Sequence, residues 1–161
     1  METLEIAARA LSLELSGRNM TLAIAESCTG GLLGHSLTDV PGASRFFLGG
    51  VTCYANAAKV QLLGVRTETL QCFGAVSVQC AEEMLRGVKA LFGSDTAIAI
   101  TGIAGPDGGS AKKPIGTVFI AVSVDDRLQV YGFFFSGERA AIKRQAALAA
   151  FELLHSLLRQ K

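Results

Sequence analysis

The sequence contains no tryptophan, and aromatic residues make up only 7% of its 161 residues. Surfaces that stack nucleic-acid bases depend on aromatic side chains, so this scarcity argues against them. Charge is also close to balanced: the formal net charge is +1, which leaves no broad basic surface for a phosphate backbone. The composition therefore predicts a protein that does not bind nucleic acid.

Motifs for metal binding and membrane insertion are missing as well. The cysteines form no CxxC pair and lie far along the chain from His35 and His155, which argues against a zinc site. No apolar stretch approaches the ~18 residues of a membrane-spanning helix. The first residues lack the basic region of a signal peptide. We therefore expect a cytoplasmic protein with reduced thiols, no metal and no membrane contact.

What the chain does contain is an apolar, globular composition. Half of its residues are hydrophobic and 18% are charged. A chain of this length buries enough surface to fold as one domain without a disulfide or a metal. The apolar composition also favours a homo-oligomer, a dimer or larger.

Apolar strands alternate with helices along the chain, which is typical of α/β domains. A hairpin-like turn, Asp125-Asp126-Arg127, adds an antiparallel part. We therefore predict a single-domain, three-layer α/β/α fold with a mixed, mostly parallel central sheet. The predicted helices cover 3–16, 30–40, 56–64, 77–92 and 138–158, and the predicted strands cover 21–26, 49–55, 95–101, 115–124 and 128–136.

The stretch AESCTGG, residues 25–31, stands between a predicted strand and a predicted helix. Hydroxyls and glycines ahead of a helix can bind an anion, and ligands of open α/β sheets gather at the carboxyl ends of strands. The structural alternative is that Thr29 caps the helix and that the glycines permit close packing. Cys28 has no histidine partner nearby, so a buried, inert thiol is favoured over a nucleophile.

A second polar stretch, PGASRFFLGGVTCYANAAK (41–59), combines a hydroxyl with an amine. With Asn56 as the N-cap, Lys59 falls at the third position of a helix, where the helix dipole disfavours a cation. A neutral lysine can take the proton of a serine hydroxyl, and Ser44 and Tyr54 are the candidates nearby. A solvated lysine and a packed tyrosine are the alternative.

The third stretch, TGIAGPDGGS (101–110), follows an apolar strand. Its backbone amides could form an oxyanion hole or a phosphate-binding loop, and Asp107 could orient a partner or simply form a turn. Arg139, at the start of the last helix, could reach a phosphate; a solvated helix face is the alternative. Three glycine-rich turns after three strands could face one cleft.

Together, the segments AESCTGG, GGVTCYANAAK, LGV, GAVS, TGIAGPDGG, KPIGTV and FSGER resemble the CinA C-terminal domain family. The resemblance extends from the first strand to the last helix, so residues 1–161 would form one such domain. It implies an amidohydrolase that converts nicotinamide mononucleotide (NMN) to nicotinate mononucleotide and ammonia. The family's catalysis is ascribed to a serine and a lysine, without metal or other cofactor.

The same resemblance implies roles for individual residues. Ser44 would be the nucleophile, Lys59 its base and Tyr54 an assisting group, although Ser27 is also well placed to attack. The substrate-binding residues would be Ser27, Thr29, Gly30, Gly31, Thr101, Gly102 and Gly105, with Arg139 on the phosphate. Two alternatives stay open: a non-catalytic nucleotide-binding or regulatory protein, and a hydrolase of another small amide.

Overall fold

The computed structural model describes residues 3–160, which form one five-stranded sheet with helices on both faces. Over that range, none of the helices is both long and apolar enough to cross a membrane. In chain order the elements are α1 (Leu4–Arg18), β1 (Leu22–Glu26), α2 (Leu32–Thr38), a 3-10 turn (Ala43–Arg45), β2 (Phe47–Thr52), α3 (Asn56–Leu63), α4 (Thr67–Phe73), α5 (Val78–Phe92), β3 (Thr96–Gly102), β4 (Thr117–Val124), β5 (Arg127–Phe134) and α6 (Arg139–Arg159).

The strand order in the sheet is β2-β1-β3-β4-β5. Strand β1 runs parallel to both β2 and β3, whereas β4 is antiparallel to β3 and to β5. Four strands therefore point the same way and β4 points the other way. The predicted mixed sheet is confirmed, and the carboxyl ends of β1, β2 and β3 lie side by side at one edge.

The two faces of the sheet bury different side chains. One face presents small residues, Ala23, Ala97 and Ala121 among them, to Met84 and Leu85 of α5. The other face presents larger aliphatic residues to α1, α2 and α6. Both sides of β1 and β3 are consequently covered, which explains their nearly continuous apolar sequences. The predicted three-layer α/β/α arrangement is confirmed.

Close helix packing holds α3 against α5. A Cβ atom added to Gly87 of α5 would lie 1.9 Å from the backbone oxygen of Leu63, so only glycine permits this approach. The helix α3 carries Lys59, so this contact helps to place the lysine side chain. Between these two helices the chain forms α4, a seven-residue helix that the sequence pattern did not predict.

Candidate active site

A pocket of about 250 Å³ opens at the edge of the sheet where β1, β2 and β3 end. A larger pocket of about 520 Å³ lies at the opposite edge, but its lining contains no paired nucleophile and base. The smaller pocket brings together seven of the residues predicted for the site: Ser27, Tyr54, Lys59, Thr101, Gly102, Gly105 and Arg139.

The central feature of this pocket is a lysine amine against a serine hydroxyl. The Nζ atom of Lys59 lies 2.9 Å from the Oγ atom of Ser27. The same nitrogen donates to the backbone oxygen of Cys53 at 2.7 Å and lies 3.4 Å from that of Tyr54. Lys59 is 1% exposed, and no carboxylate within residues 3–160 forms a salt bridge with it.

The amine and the hydroxyl are close enough to exchange a proton. The Nζ atom of Lys59 has three possible acceptors within 3.4 Å, the Ser27 hydroxyl and two backbone carbonyls. When a lysine amine is uncharged, its lone pair can take the proton of a serine hydroxyl at this distance. The arrangement can therefore supply a serine nucleophile with a lysine base.

Lys59 reaches this position from the first turn of α3, as predicted, but not from the predicted capping geometry. Ala55 is the N-cap and makes no side-chain hydrogen bond, so Asn56 is the first helical residue rather than the cap. Lys59 is consequently the fourth residue of the helix. Asn56 lines the pocket instead.

The predicted pairing of Ser44 with Lys59 is wrong. Ser44 lies in the 3-10 turn that precedes β2, whereas Lys59 follows β2. A six-residue strand separates its ends by about 20 Å, so Ser44 lies at the opposite edge of the sheet. Ser27, the alternative nucleophile, directly follows β1 and is the hydroxyl that Lys59 contacts.

The predicted anion cradle at the start of α2 is occupied by the protein itself. The buried carboxylate of Glu26 accepts hydrogen bonds from the amides of Gly31, Leu33 and Gly34 at 3.0–3.1 Å. A carboxylate at a helix N-terminus satisfies the unpaired amides and complements the helix dipole. Because these amides already have an acceptor, they are not free to bind a substrate anion.

Glu26 therefore fixes the turn that presents Ser27. Glu26→Ala is expected to lower the free energy of unfolding by about 2–4 kcal/mol, because three buried or partly buried amides would lose their acceptor. Urea denaturation measures this loss. As a control, Glu82→Ala, which removes an exposed ion pair with Arg86, should cost less than about 1 kcal/mol. Equal small effects of both substitutions would contradict the structural role of Glu26.

The predicted substrate-binding roles of Thr29, Gly30 and Gly31 are not supported by the geometry, because none of the three lines the pocket. Gly30 and Gly31 have φ values of +62° and +99°, so they shape the turn into α2. Thr29 does not cap that helix, whose N-cap is Gly31. The Thr29 hydroxyl is fully buried and has no partner within residues 3–160.

Cys28 follows Ser27 and is buried against the carboxyl end of β3. Burial raises the pKa of the Cys28 thiol to about 11, so it stays protonated at neutral pH and is a poor nucleophile. A Cβ atom on Gly102 would lie 3.1 Å from its sulfur, which shows how closely the two segments pack. The prediction that this thiol is buried is confirmed, and its raised pKa agrees with an inert thiol.

Arg139 of α6 connects two other segments that line the pocket. Its guanidinium donates to the backbone oxygen of Gly105 at 2.6 Å and to the hydroxyl of Tyr54 at 2.7 Å. Thr101 donates to the backbone oxygen of Ala75 at 2.7 Å, which ties the end of β3 to the segment before α5. The Tyr54 hydroxyl is thus directed to Arg139, and its backbone oxygen faces Lys59.

The sequence and the fold of this chain were compared with those of known proteins, and both comparisons point to one family. The family model for the CinA C-terminal domain matches residues 4–158, and the chain belongs to that family. It is 49% identical over 144 residues to a CinA-like protein of Syntrophotalea carbinolica. It is 46% identical over 145 residues to a CinA-like protein of Thermotoga maritima.

These matches cover 89% and 90% of this chain but 35% of each relative, so the chain spans about a third of their length. Solved structures match over nearly their whole length. A competence/damage inducible protein from Agrobacterium tumefaciens superposes with a TM-score of 0.95 and 37% identity, covering 99% of this chain and 98% of that one. A CinA superfamily protein from Klebsiella pneumoniae gives 0.94 and 36%, covering 98% of each.

Proposed function

We propose that the chain is an amidohydrolase of nicotinamide mononucleotide that uses Ser27 as nucleophile and Lys59 as base. The observation that carries this proposal is the buried Lys59 amine, 2.9 Å from the Ser27 hydroxyl inside a pocket. An amine buried without a carboxylate partner costs stability, so a purely structural lysine is poorly explained at this position. The chain belongs to the CinA C-terminal domain family, and the resemblance to that family described above implies this activity.

The reaction begins with proton transfer from Ser27 to Lys59 as the serine oxygen bonds to the carboxamide carbon. The amides of Cys28 and Thr29 directly follow the nucleophile and donate to no other residue in the described chain. They are the candidate donors for the negative oxygen that develops on the substrate. A donor fixed at that oxygen stabilises the negatively charged transition state more than it stabilises the uncharged carboxamide of the substrate.

Collapse of the tetrahedral intermediate breaks the carbon–nitrogen bond. The protonated Lys59 gives its proton to the departing nitrogen, which leaves as ammonia, and an ester to Ser27 remains. Water then attacks this ester with Lys59 again as base, which releases the carboxylate product and restores the serine hydroxyl. One lysine therefore serves both half-reactions.

Arg139 supports the assignment of a phosphorylated substrate. Its side chain reaches the pocket and makes two hydrogen bonds there. A guanidinium has five N–H donors, so three remain for phosphate oxygens. Tyr54 lines the pocket and is 59% exposed, so its ring offers a surface on which a planar ring can rest.

The test is ammonia release from NMN by the purified chain in the presence of EDTA. We expect one ammonia for each nicotinate mononucleotide formed, and a rate unaffected by the chelator. Free nicotinamide, which lacks the ribose phosphate, should be turned over much more slowly because it makes no contact with Arg139. A folded protein that binds NMN without hydrolysing it would instead indicate a nucleotide-binding protein.

A further inference from the structure

One acidic side chain of the pocket has no role in the mechanism above. Asp107 lies in the loop after β3 and lines the pocket beside Gly105 and Gly108. Across residues 3–160, its carboxylate makes no hydrogen bond or salt bridge. It is exposed to solvent, so no internal partner holds it for the sake of stability.

The other charged groups around the pocket explain why a free carboxylate matters there. Among the lining residues of the described chain, Lys59 and Arg139 are basic and Asp107 alone is acidic. The carboxylate of Glu26 is nearby, but three amides of α2 occupy it. Without Asp107, all the ionisable lysine, arginine and acidic side chains that line the pocket in the described chain would be basic.

The substrate of the proposed reaction carries charges of both signs. Its phosphate is an anion, whereas its pyridine ring, joined to ribose through nitrogen, is a permanent cation. The carboxamide must lie at Ser27, so the ring that bears it enters the part of the pocket next to the Lys59 amine. A cationic ring in this pocket is attracted by the carboxylate of Asp107 in the lining and is repelled by the guanidinium of Arg139.

We propose that Asp107 selects amides borne on a positively charged pyridinium ring over the same amides on a neutral ring. This inference rests on the proposed function, and it adds the charge of the ring to what the pocket recognises. Arg139 then complements the phosphate and Asp107 the ring. Asp107 acts here on binding and leaves the proton transfers to Lys59.

The experiment compares two nucleotides that differ mainly in ring charge. NMN and its 1,4-dihydro form carry the same carboxamide, ribose and phosphate, but the reduced ring is neutral. Their dissociation constants are measured by calorimetry on the Ser27→Ala protein, which cannot turn them over. We expect NMN to bind about two- to fivefold more tightly, the range that a solvent-exposed ion pair permits.

Asp107→Asn in the same background should bring the ratio of the two constants close to one, mainly by weakening NMN. The matched control is Asp126→Asn, which removes the same charge at the other end of the molecule. Asp126 follows β4, whose last residue, Val124, pairs with the first residue of β3, far from the pocket. The control should leave the ratio unchanged.

Three results would overturn the inference. If NMN and its reduced form bind to the Ser27→Ala protein with equal affinity, the pocket does not distinguish a charged ring from a neutral one. If Asp107→Asn weakens both ligands equally, Asp107 contacts the sugar or shapes the loop. If neither nucleotide binds the folded protein, the proposed function itself fails and the inference fails with it, whereas the first two results leave the amidohydrolase assignment intact.

Discussion

Ser27→Ala is expected to lower kcat for ammonia release from NMN by at least about a thousandfold, because the pocket would lose the oxygen that bonds to the carboxamide carbon. Ser27 is 8% exposed and its Oγ atom contacts the Lys59 amine, so the change removes one buried hydroxyl and little volume. Binding of NMN should survive. The measurement is steady-state ammonia release, paired with calorimetric binding of NMN to the variant.

Ser44→Ala is the matched control for this variant. Ser44 is an exposed serine at the amino end of β2, so its loss should change kcat by less than about twofold and stability by less than about 0.5 kcal/mol. If Ser44→Ala abolished activity while Ser27→Ala retained it, the nucleophile assigned from the geometry would be wrong. Loss of activity in both folded variants would indicate that Ser44 contributes to turnover from outside this pocket.

The contrast between these serines shows what the sequence can predict about the site. Strand ends are readable from apolar runs, and the carboxyl ends of neighbouring parallel strands meet at one edge. On that basis the three polar stretches were expected to face one cleft, and the structure places Ser27, Lys59 and Thr101, one residue from each stretch, around one pocket. Ser44 precedes its strand instead, so chain polarity alone puts it at the other edge.

Other features depend on contacts that no local pattern records. A helix N-terminus after a polar turn predicted an anion site, but only the fold shows that Glu26, five residues before Gly31, supplies the anion. The strand order β2-β1-β3-β4-β5 likewise follows from packing rather than from the order of strands along the chain. Asn56 was expected to cap α3, and Ala55 takes that position.

Lys59→Met is expected to reduce kcat as severely as Ser27→Ala, by about a thousandfold or more, because no other base contacts the Ser27 hydroxyl among residues 3–160. Methionine has a similar length and fills the same buried space without an amine. The Cys53 carbonyl would lose its donor, which costs about 1–3 kcal/mol, but the chain would no longer bury a group that prefers water.

These opposing terms predict a change in the free energy of unfolding of less than about 2 kcal/mol, so the variant should fold and the kinetic loss can be assigned to chemistry. Lys89→Met provides the comparison. Lys89 also donates to a backbone oxygen, that of Asp125, but at the opposite edge of the sheet. The Lys89→Met variant should lose less than about 1 kcal/mol of stability, because this contact is exposed, and it should keep kcat.

The pair of lysine variants separates two explanations for the Lys59 position. If Lys59 serves catalysis, Lys59→Met loses turnover while NMN still binds and the melting temperature changes little. If Lys59 serves only to join α3 to the end of β2, Lys59→Met would lose stability and turnover in proportion, and residual folded protein would be fully active. The buried amine has a hydroxyl and two carbonyls as partners, and it forms no salt bridge with a carboxylate of residues 3–160, so we expect the first result.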